Sequence, residues 1–129
     1  MILVDTSIWV DHFRAGDETL ERLLTDGRVL AHPFIIGELA LGLLRRRDLI
    51  LEALADLPRA SIATDQEVLG FIGEQELYGL SVGYIDAHLL ASARLTAGGA
   101  LWTRDDRLHA VAVRLGLAAG AAGRPGAEA

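Results

Sequence analysis

The sequence predicts an α/β fold, a single domain in which a central parallel sheet of about four to five short strands is flanked by helices. Three observations support this. Short apolar runs of strand length alternate with longer segments of helical periodicity. The first run, Ile2–Val4, is apolar at every position, as expected for a strand buried on both faces. A chain of 129 residues, 51% of them hydrophobic, can bury one substantial core.

The expected strands come from four short apolar runs. They cover residues 2–4, 29–31, 61–63 and 100–103. The connections between them are long enough to hold helices, so parallel pairing with right-handed crossovers is expected.

The expected helices are bounded by capping residues and helix breakers. They cover residues 8–13, 18–26, 33–44, 48–57, 65–78, 82–95 and 106–115. Thr6 or Ser7 is a suitable cap for the first helix, and Pro33 suits the first position of the third. Thr64 begins a capping-box pattern, and Ser81 can cap the sixth helix.

Composition excludes several classes of protein. The absence of cysteine rules out disulfides, thiolate catalysis and thiolate zinc sites, and it suits a reducing cytoplasm. Asp5 interrupts the N-terminal apolar run, and no uncharged apolar run approaches about 18 residues, so neither a signal peptide nor a membrane span is expected. The net charge of −6 argues against a broad basic surface for nucleic acid. It does not exclude a nuclease, because bound divalent cations would offset a cluster of acids.

Four acidic residues lie inside apolar segments, and two of them follow predicted strands. Asp5 follows the first strand, and Asp105 follows the strand that ends near Thr103. Because the carboxyl ends of parallel strands meet at one edge of a sheet, these two carboxylates are expected to lie close together. Glu38 and Asp86 interrupt apolar helices. Their neighbours at spacings of three and four residues are mainly apolar, so both are expected to point inward.

Four clustered carboxylates cannot neutralise one another, so the cluster calls for cations. Mg²⁺ and Mn²⁺ prefer carboxylate oxygen, and the sequence therefore predicts a metal-dependent enzyme acting on a substrate that contains phosphate. Each acid also has a simpler explanation. Asp5 or Asp105 could be only a helix cap, and Glu38 could pair with Arg45 or Arg46. Asp86 could be a buried polar group whose hydrogen bonds are all satisfied.

Four segments give the chain a resemblance to a known family. They are ILVDTSIW at residues 2–9, IGEL at 36–39, LSVGYIDAHLLA at 80–91 and LWTRDDRL at 101–108. In these segments, and in their order and spacing, the chain resembles the PIN-domain ribonucleases, and specifically the VapC-type toxins of bacterial toxin–antitoxin pairs. Each segment alone is weakly specific, whereas the ordered set is specific.

The resemblance implies a metal site, a substrate and partners. In the family pattern Asp5, Glu38, Asp86 and Asp105 line a Mg²⁺ or Mn²⁺ site, and the substrate is single-stranded or loop RNA. The resemblance also implies a cognate antitoxin that occupies the site, a homodimer, and a higher assembly with the antitoxin. Asp106 is an alternative for the last acid, but Asp105 follows a Thr-Arg pair as the last acid of the family does.

The resemblance extends to about residue 117 and implies a PIN-like nuclease domain over residues 1–117. Residues 118–129 are rich in alanine and glycine, and the composition predicts a disordered tail. This composition leaves the final edge strand of the sheet in doubt.

Other side chains near the predicted site could contact a phosphate or a water. They are Thr6, Ser7, Thr103, Arg104 and Arg107. For the hydroxyls, helix capping is an equally open explanation. The run Arg45–Arg47 is expected mainly to complement a helix dipole, and Trp9 and Trp102 to lie in the core. Because no side chain is an evident nucleophile, direct hydrolysis without a covalent intermediate is expected.

Competing functions differ in the residues they require. An aspartyl phosphatase needs a second aspartate two residues after Asp5, where the chain has Ser7. That enzyme and a receiver-type signalling domain both need a lysine, and the chain has none. A non-catalytic PIN-like module that binds RNA or protein stays open as the alternative, although the presence of all four acids disfavours it.

Overall fold

The computed structural model of the chain describes residues 1–120, which form an α/β fold of three strands and seven helices. The strands are β1 (Ile2–Val4), β2 (Val29–Leu30) and β3 (Ala100–Trp102). The helices are α1 (Thr6–Ala15), α2 (Glu18–Thr25), α3 (Pro33–Ala40), α4 (Arg47–Ala55), α5 (Asp65–Glu74), α6 (Tyr84–Leu95) and α7 (Asp106–Arg114). The predicted fold class is therefore confirmed.

The sheet is parallel, with strand order β2-β1-β3. Single pairs extend both edges: Ala31 pairs with Arg59 beyond β2, and Leu101 pairs with Ala118 beyond β3. The expected strand at 61–63 does not form, because the chain meets the sheet earlier, at Arg59. The pair at Ala118 places the first residue of the expected tail against the sheet. The prediction of a disordered tail also covers residues 121–129, which lie outside the described residues.

The core surrounds the central strand. All three residues of β1 are buried, as are Trp9 and Trp102, so both tryptophans lie in the core as expected. Burial of apolar area on both faces is what stabilises so short a strand. None of the helices in residues 1–120 has the length and apolar character needed to cross a membrane.

Two helix starts differ from the sequence prediction. The α1 helix begins at Thr6 because Asp5, rather than Thr6 or Ser7, caps it through its side chain. The α6 helix is capped by Gly83, whereas Ser81, the expected cap, has a left-handed φ of 59°. In both places the true cap lies within two residues of the predicted one, and tertiary contacts select it.

The α3 helix ends at Ala40, four residues earlier than expected. The guanidinium of Arg47 donates a hydrogen bond of 2.8 Å to the carbonyl of Ala40, which satisfies a free carbonyl at the helix C-terminus. Arg46 then turns the chain with a left-handed φ of 54°. The residues between the helices leave Leu41 and Leu43 on the surface, at 90% and 107% exposure.

The α3 helix is fixed at its N-terminus by a buried histidine. His32 Nδ1 accepts a hydrogen bond from the Phe34 N–H at 3.0 Å. Because Nδ1 accepts, the ring proton lies on Nε2, which donates to Ser92 Oγ in α6 at 3.1 Å. Burial, helped by the nearby His88, lowers the pKa of His32 from 6.5 to about 4. The fold therefore requires the neutral imidazole.

This requirement predicts a loss of stability in acid. The unfolded chain takes up the His32 proton near pH 6.5, whereas the folded chain takes it up near pH 4. The free energy of unfolding should therefore fall by about 3 kcal/mol as the pH is lowered through this window. In His32→Asn the cap keeps a side-chain acceptor but no longer titrates. Denaturant titrations of both proteins should show this component only in the wild type, and equal pH slopes would contradict the assignment.

Candidate active site

Three of the four acids singled out in the sequence lie at helix N-termini on the carboxyl edge of the sheet. Asp5 directly follows β1 and caps α1, and Asp105 follows β3 after a short turn and caps α7. Asp86 is the third residue of α6. Because β1 and β3 are adjacent and parallel, their ends bring Asp5 and Asp105 close together.

The hydroxyl of Thr103 connects these two aspartates. Its Oγ1 donates to Asp5 Oδ2 at 2.8 Å and accepts from the Asp105 N–H at 3.1 Å. The other oxygen of Asp5 accepts from the Thr6 N–H at 2.8 Å, and Asp105 Oδ1 accepts from the Leu108 N–H at 2.9 Å. Thr103 is 1% exposed, so the bridge is sheltered from water. Each aspartate is thus oriented by named donors.

Glu38 lies at the rim of this edge and is held from α1. Thr6 Oγ1 donates to Glu38 Oε1 at 3.0 Å. The expectation that Glu38 points inward is wrong, because its side chain is exposed. Spacing suggested an apolar face, but α3 ends at Ala40, and Leu41, three residues beyond Glu38, is itself 90% exposed.

The four carboxylates act on one another electrostatically. Burial raises the pKa of the Asp86 carboxyl above its ordinary value, and the negative charge of Asp5 raises it further. Asp105 and Glu38 add smaller contributions in the same direction, and a hydrogen bond from the Gly83 N–H opposes them. Of the two neighbouring acids at the start of α7, it is therefore Asp105 whose charge reaches Asp86.

The donor chemistry of the cluster fits a hard divalent cation. Within residues 1–120, the ion pairs include none of the four acids. Carboxylate oxygens without a cationic partner are the ligands that Mg²⁺ and Mn²⁺ prefer. In the same part of the chain no three acidic or histidine side chains converge closely enough to enclose an ion. The carboxylates are within electrostatic reach of one another, and an ion would have to draw their side chains together.

Arg104, next to Asp105 in the sequence, is already paired. Arg104 Nε lies 2.8 Å from Asp11 Oδ2, and Arg104 Nη2 lies 3.3 Å from Asp17 Oδ2. Sequence reasoning did not find these partners, because nothing local links residue 104 to residues 11 and 17. Arg47 closes α3, as expected for a basic residue beside a helix C-terminus.

An apolar groove of about 440 Å³ adjoins the cluster and was not foreseen. It is lined mainly by Val10, Phe13, Leu39, Leu43, Leu44 and Ile50. Glu38 also lines the groove, so the groove opens beside the acidic edge of the sheet. The sequence interpretation placed residues 41–44 in a helix, and it therefore gave no sign that these leucines would be exposed.

The crowding of like charges predicts a gain in stability when one charge is removed. In EDTA at neutral pH, Asp86→Asn should have a higher free energy of unfolding than the wild type, because an ionised Asp86 is disfavoured where it lies. Glu52→Gln makes the same change in charge on the exposed part of α4, and it should change stability by less than about 0.5 kcal/mol.

Denaturant titration measures both effects. If Asp86→Asn is less stable than the wild type in EDTA, the charge of Asp86 does not destabilise the folded protein.

Comparison with known proteins agrees with the geometry. Residues 2–114 match the family described as PIN domain. The chain is also 47% identical over 118 residues to Ribonuclease VapC32 of Mycobacterium tuberculosis, from strain CDC 1551 and from strain H37Rv. These alignments cover 92% of this chain and 95% of each relative. The resemblance found in the sequence is confirmed, and the chain belongs to the PIN-domain family, as a member of the VapC type.

Proposed function

We propose that this protein is a metal-dependent endoribonuclease that hydrolyses phosphodiester bonds in RNA, and that it acts as the toxin of a toxin–antitoxin pair. The observation that carries the proposal is the gathering of Asp5, Glu38, Asp86 and Asp105 at one edge of the sheet, close enough for the charges of the other three to raise the pKa of Asp86. The similarity to proteins named Ribonuclease VapC32 supports RNA as the substrate. The proposal places the protein in the cytoplasm, where RNA and antitoxin are found.

The metal in this proposal is Mg²⁺ or Mn²⁺, held by Asp5, Asp86 and Asp105. When bound, such an ion polarises the scissile phosphate, acidifies water and offsets charge on the leaving oxygen. Among residues 1–120 we assign no side chain of the cluster as a nucleophile, so in this proposal a water molecule attacks the phosphorus directly.

The protein orients the carboxylates for this task. Thr103 holds Asp5 and the Asp105 backbone in one arrangement, and Thr6 holds one oxygen of Glu38. Within the described residues the other oxygen of Glu38 has no hydrogen-bond donor, and it lies at the exposed rim. Glu38 is therefore suited to ligate the ion or to orient the attacking water and accept its proton.

Groups at the same rim are the candidates for contact with a phosphate. Thr6 and Thr103 have their hydroxyls committed to carboxylates, which favours orientation over direct phosphate binding for these two. Ser7 lies exposed in the first turn of α1, next to Asp5, and can donate to a phosphate oxygen. Arg104 and Arg107 flank Asp105 on the sequence and stay candidates for the RNA backbone.

The apolar groove beside Glu38 is the proposed antitoxin site. Leu41 and Leu43 expose nearly all of their surface next to this groove, which is unusual for leucines unless a partner covers them. An apolar segment of the antitoxin would fill the groove and place a basic side chain against the acidic cluster, which would block the metal site. The homodimer and the higher assembly with antitoxin belong to the same proposal and rest on the family resemblance.

The catalytic assignment predicts a loss of RNA cleavage in single variants. Purified protein should cut RNA with Mg²⁺ or Mn²⁺ and stop in EDTA. Asp5→Asn and Asp86→Asn should each lower the cleavage rate by about 10²-fold or more, because each removes part of the electrostatic arrangement at the phosphate. Asp106→Asn is the matched control, since it removes a charge next to Asp105 from a residue that is not among the acids that raise the pKa of Asp86.

Cleavage that continues in EDTA, or in Asp5→Asn, would contradict the proposal. RNA binding without cleavage in the presence of either metal would instead favour the non-catalytic alternative.

The groove assignment predicts a defect in antitoxin binding. Leu43→Asp should weaken the affinity for the antitoxin encoded beside this gene by at least about tenfold, since a buried, unpaired charge replaces an apolar contact. Leu69→Asp places the same charge on another exposed leucine, in α5 and outside the groove, and should bind normally. Calorimetry measures both affinities, and equal affinities would remove the groove from the interface.

A further inference from the structure

We infer that Arg104 is a positioning residue: held between Asp11 and Asp17, it fixes the segment that carries Thr103 and Asp105 and thereby sets the spacing of the carboxylates. The inference deepens the proposed function and rests on it for its catalytic consequence. The geometry of the clasp itself, defined here as Arg104 with Asp11 and Asp17, does not depend on that function.

The clasp joins three separate parts of the chain. Arg104 Nε pairs with Asp11 Oδ2 in α1 at 2.8 Å, and Nη2 pairs with Asp17 Oδ2 at 3.3 Å. Asp17 caps α2, and its second oxygen accepts from the Leu20 N–H at 2.9 Å. Its side chain is 15% exposed, against 39% for Arg104. Arg104 is therefore anchored to a carboxylate that a helix cap already immobilises.

The two contacts use different nitrogens of one planar group. A guanidinium can meet two carboxylates on separate sides with fixed geometry, which a single ammonium cannot reproduce. Asp11 is held in addition by Arg14, whose Nη2 lies 3.0 Å from Asp11 Oδ1. The network therefore alternates in charge along the series Arg14, Asp11, Arg104 and Asp17.

The clasp acts on the site through the backbone. Arg104 lies between Thr103, whose hydroxyl bridges the two aspartates, and Asp105, whose N–H is one end of that bridge. A shift of residue 104 therefore moves the donor to Asp5 and the carboxylate of Asp105 together. Groups that orient metal ligands from outside typically affect metal affinity by about 10- to 100-fold.

The same contacts limit how Arg104 could bind a phosphate. Asp11 and Asp17 already occupy Nε and Nη2, so without displacing one of these carboxylates a phosphate could reach the guanidinium only through Nη1. The two roles make opposite predictions for a charge-neutral variant. Removing a nearby positive charge should by itself strengthen cation binding, whereas loss of positioning should weaken it.

The experiment has a metal-free and a metal-binding part. In EDTA, hydrogen exchange of the Asp105 amide reports its bond to Thr103. Arg104→Gln should speed that exchange by about tenfold, because the bridge is no longer held in place. In the absence of RNA, Mn²⁺ affinity measured by electron paramagnetic resonance should fall about tenfold in the same variant.

Two further variants separate the clasp from a general effect. The double variant Asp11→Asn with Asp17→Asn keeps the α2 cap, because asparagine caps as well as aspartate. It should speed Asp105 exchange as Arg104→Gln does, and combining all three changes should add nothing further. Arg14→Gln removes a guanidinium from the same network without touching residues 103–105, and it should leave Asp105 exchange unchanged.

The outcomes are distinguishable. Unchanged Asp105 exchange in Arg104→Gln, or tighter Mn²⁺ binding with a raised KM for RNA, would overturn the inference in favour of a phosphate contact. If the wild type neither binds Mn²⁺ nor cuts RNA, the proposed function fails, while amide exchange still decides whether the clasp positions Asp105.

Discussion

Repulsion among carboxylates is the constraint on which this structure depends. Four acids at one edge of a sheet oppose folding, and the raised pKa of Asp86 reflects burial first and then the charges of the other three acids. Backbone donors offset part of it. Asp5 and Asp105 cap α1 and α7, and Asp86 lies in the first turn of α6, so the positive ends of three helix dipoles meet at this edge. These contacts let the negative charges stay together without a basic side chain.

The repulsion among the carboxylates that remains is relevant to the proposed function. A cluster satisfied by arginines would be more stable without metal, but it would have no capacity left for a cation. Backbone N–H groups and the hydroxyls of Thr6 and Thr103 orient the carboxylates while leaving them charged. Under the proposed function, the arrangement trades stability of the metal-free protein for affinity toward divalent ions.

The surroundings of the cluster divide the tasks of the site. On the α1–α2 side, Arg104 is drawn into ion pairs with Asp11 and Asp17, so its charge supports the geometry of the acids. On the α3–α4 side, the early end of α3 leaves Leu41 and Leu43 exposed beside Glu38. Under the proposed function, chemistry, positioning and partner binding should therefore respond to separate substitutions.

Much of this protein follows from local sequence. The alternation of apolar runs with helical periodicity determines the parallel sheet, because burial on both faces needs residues such as Ile2–Val4. The placement of Asp5 directly after one strand and of Asp105 shortly after another is also a local property. It brings the two acids to one edge, because adjacent parallel strands end together.

Tertiary structure decided what local periodicity does not encode. The exposure of Glu38 depends on where α3 ends, and that end depends on a hydrogen bond from Arg47. The Thr103 bridge to Asp5 and the ion pairs of Arg104 join residues far apart in the chain. Such contacts form only when packing of the helices and strands brings distant residues together, so no short sequence pattern predicts them.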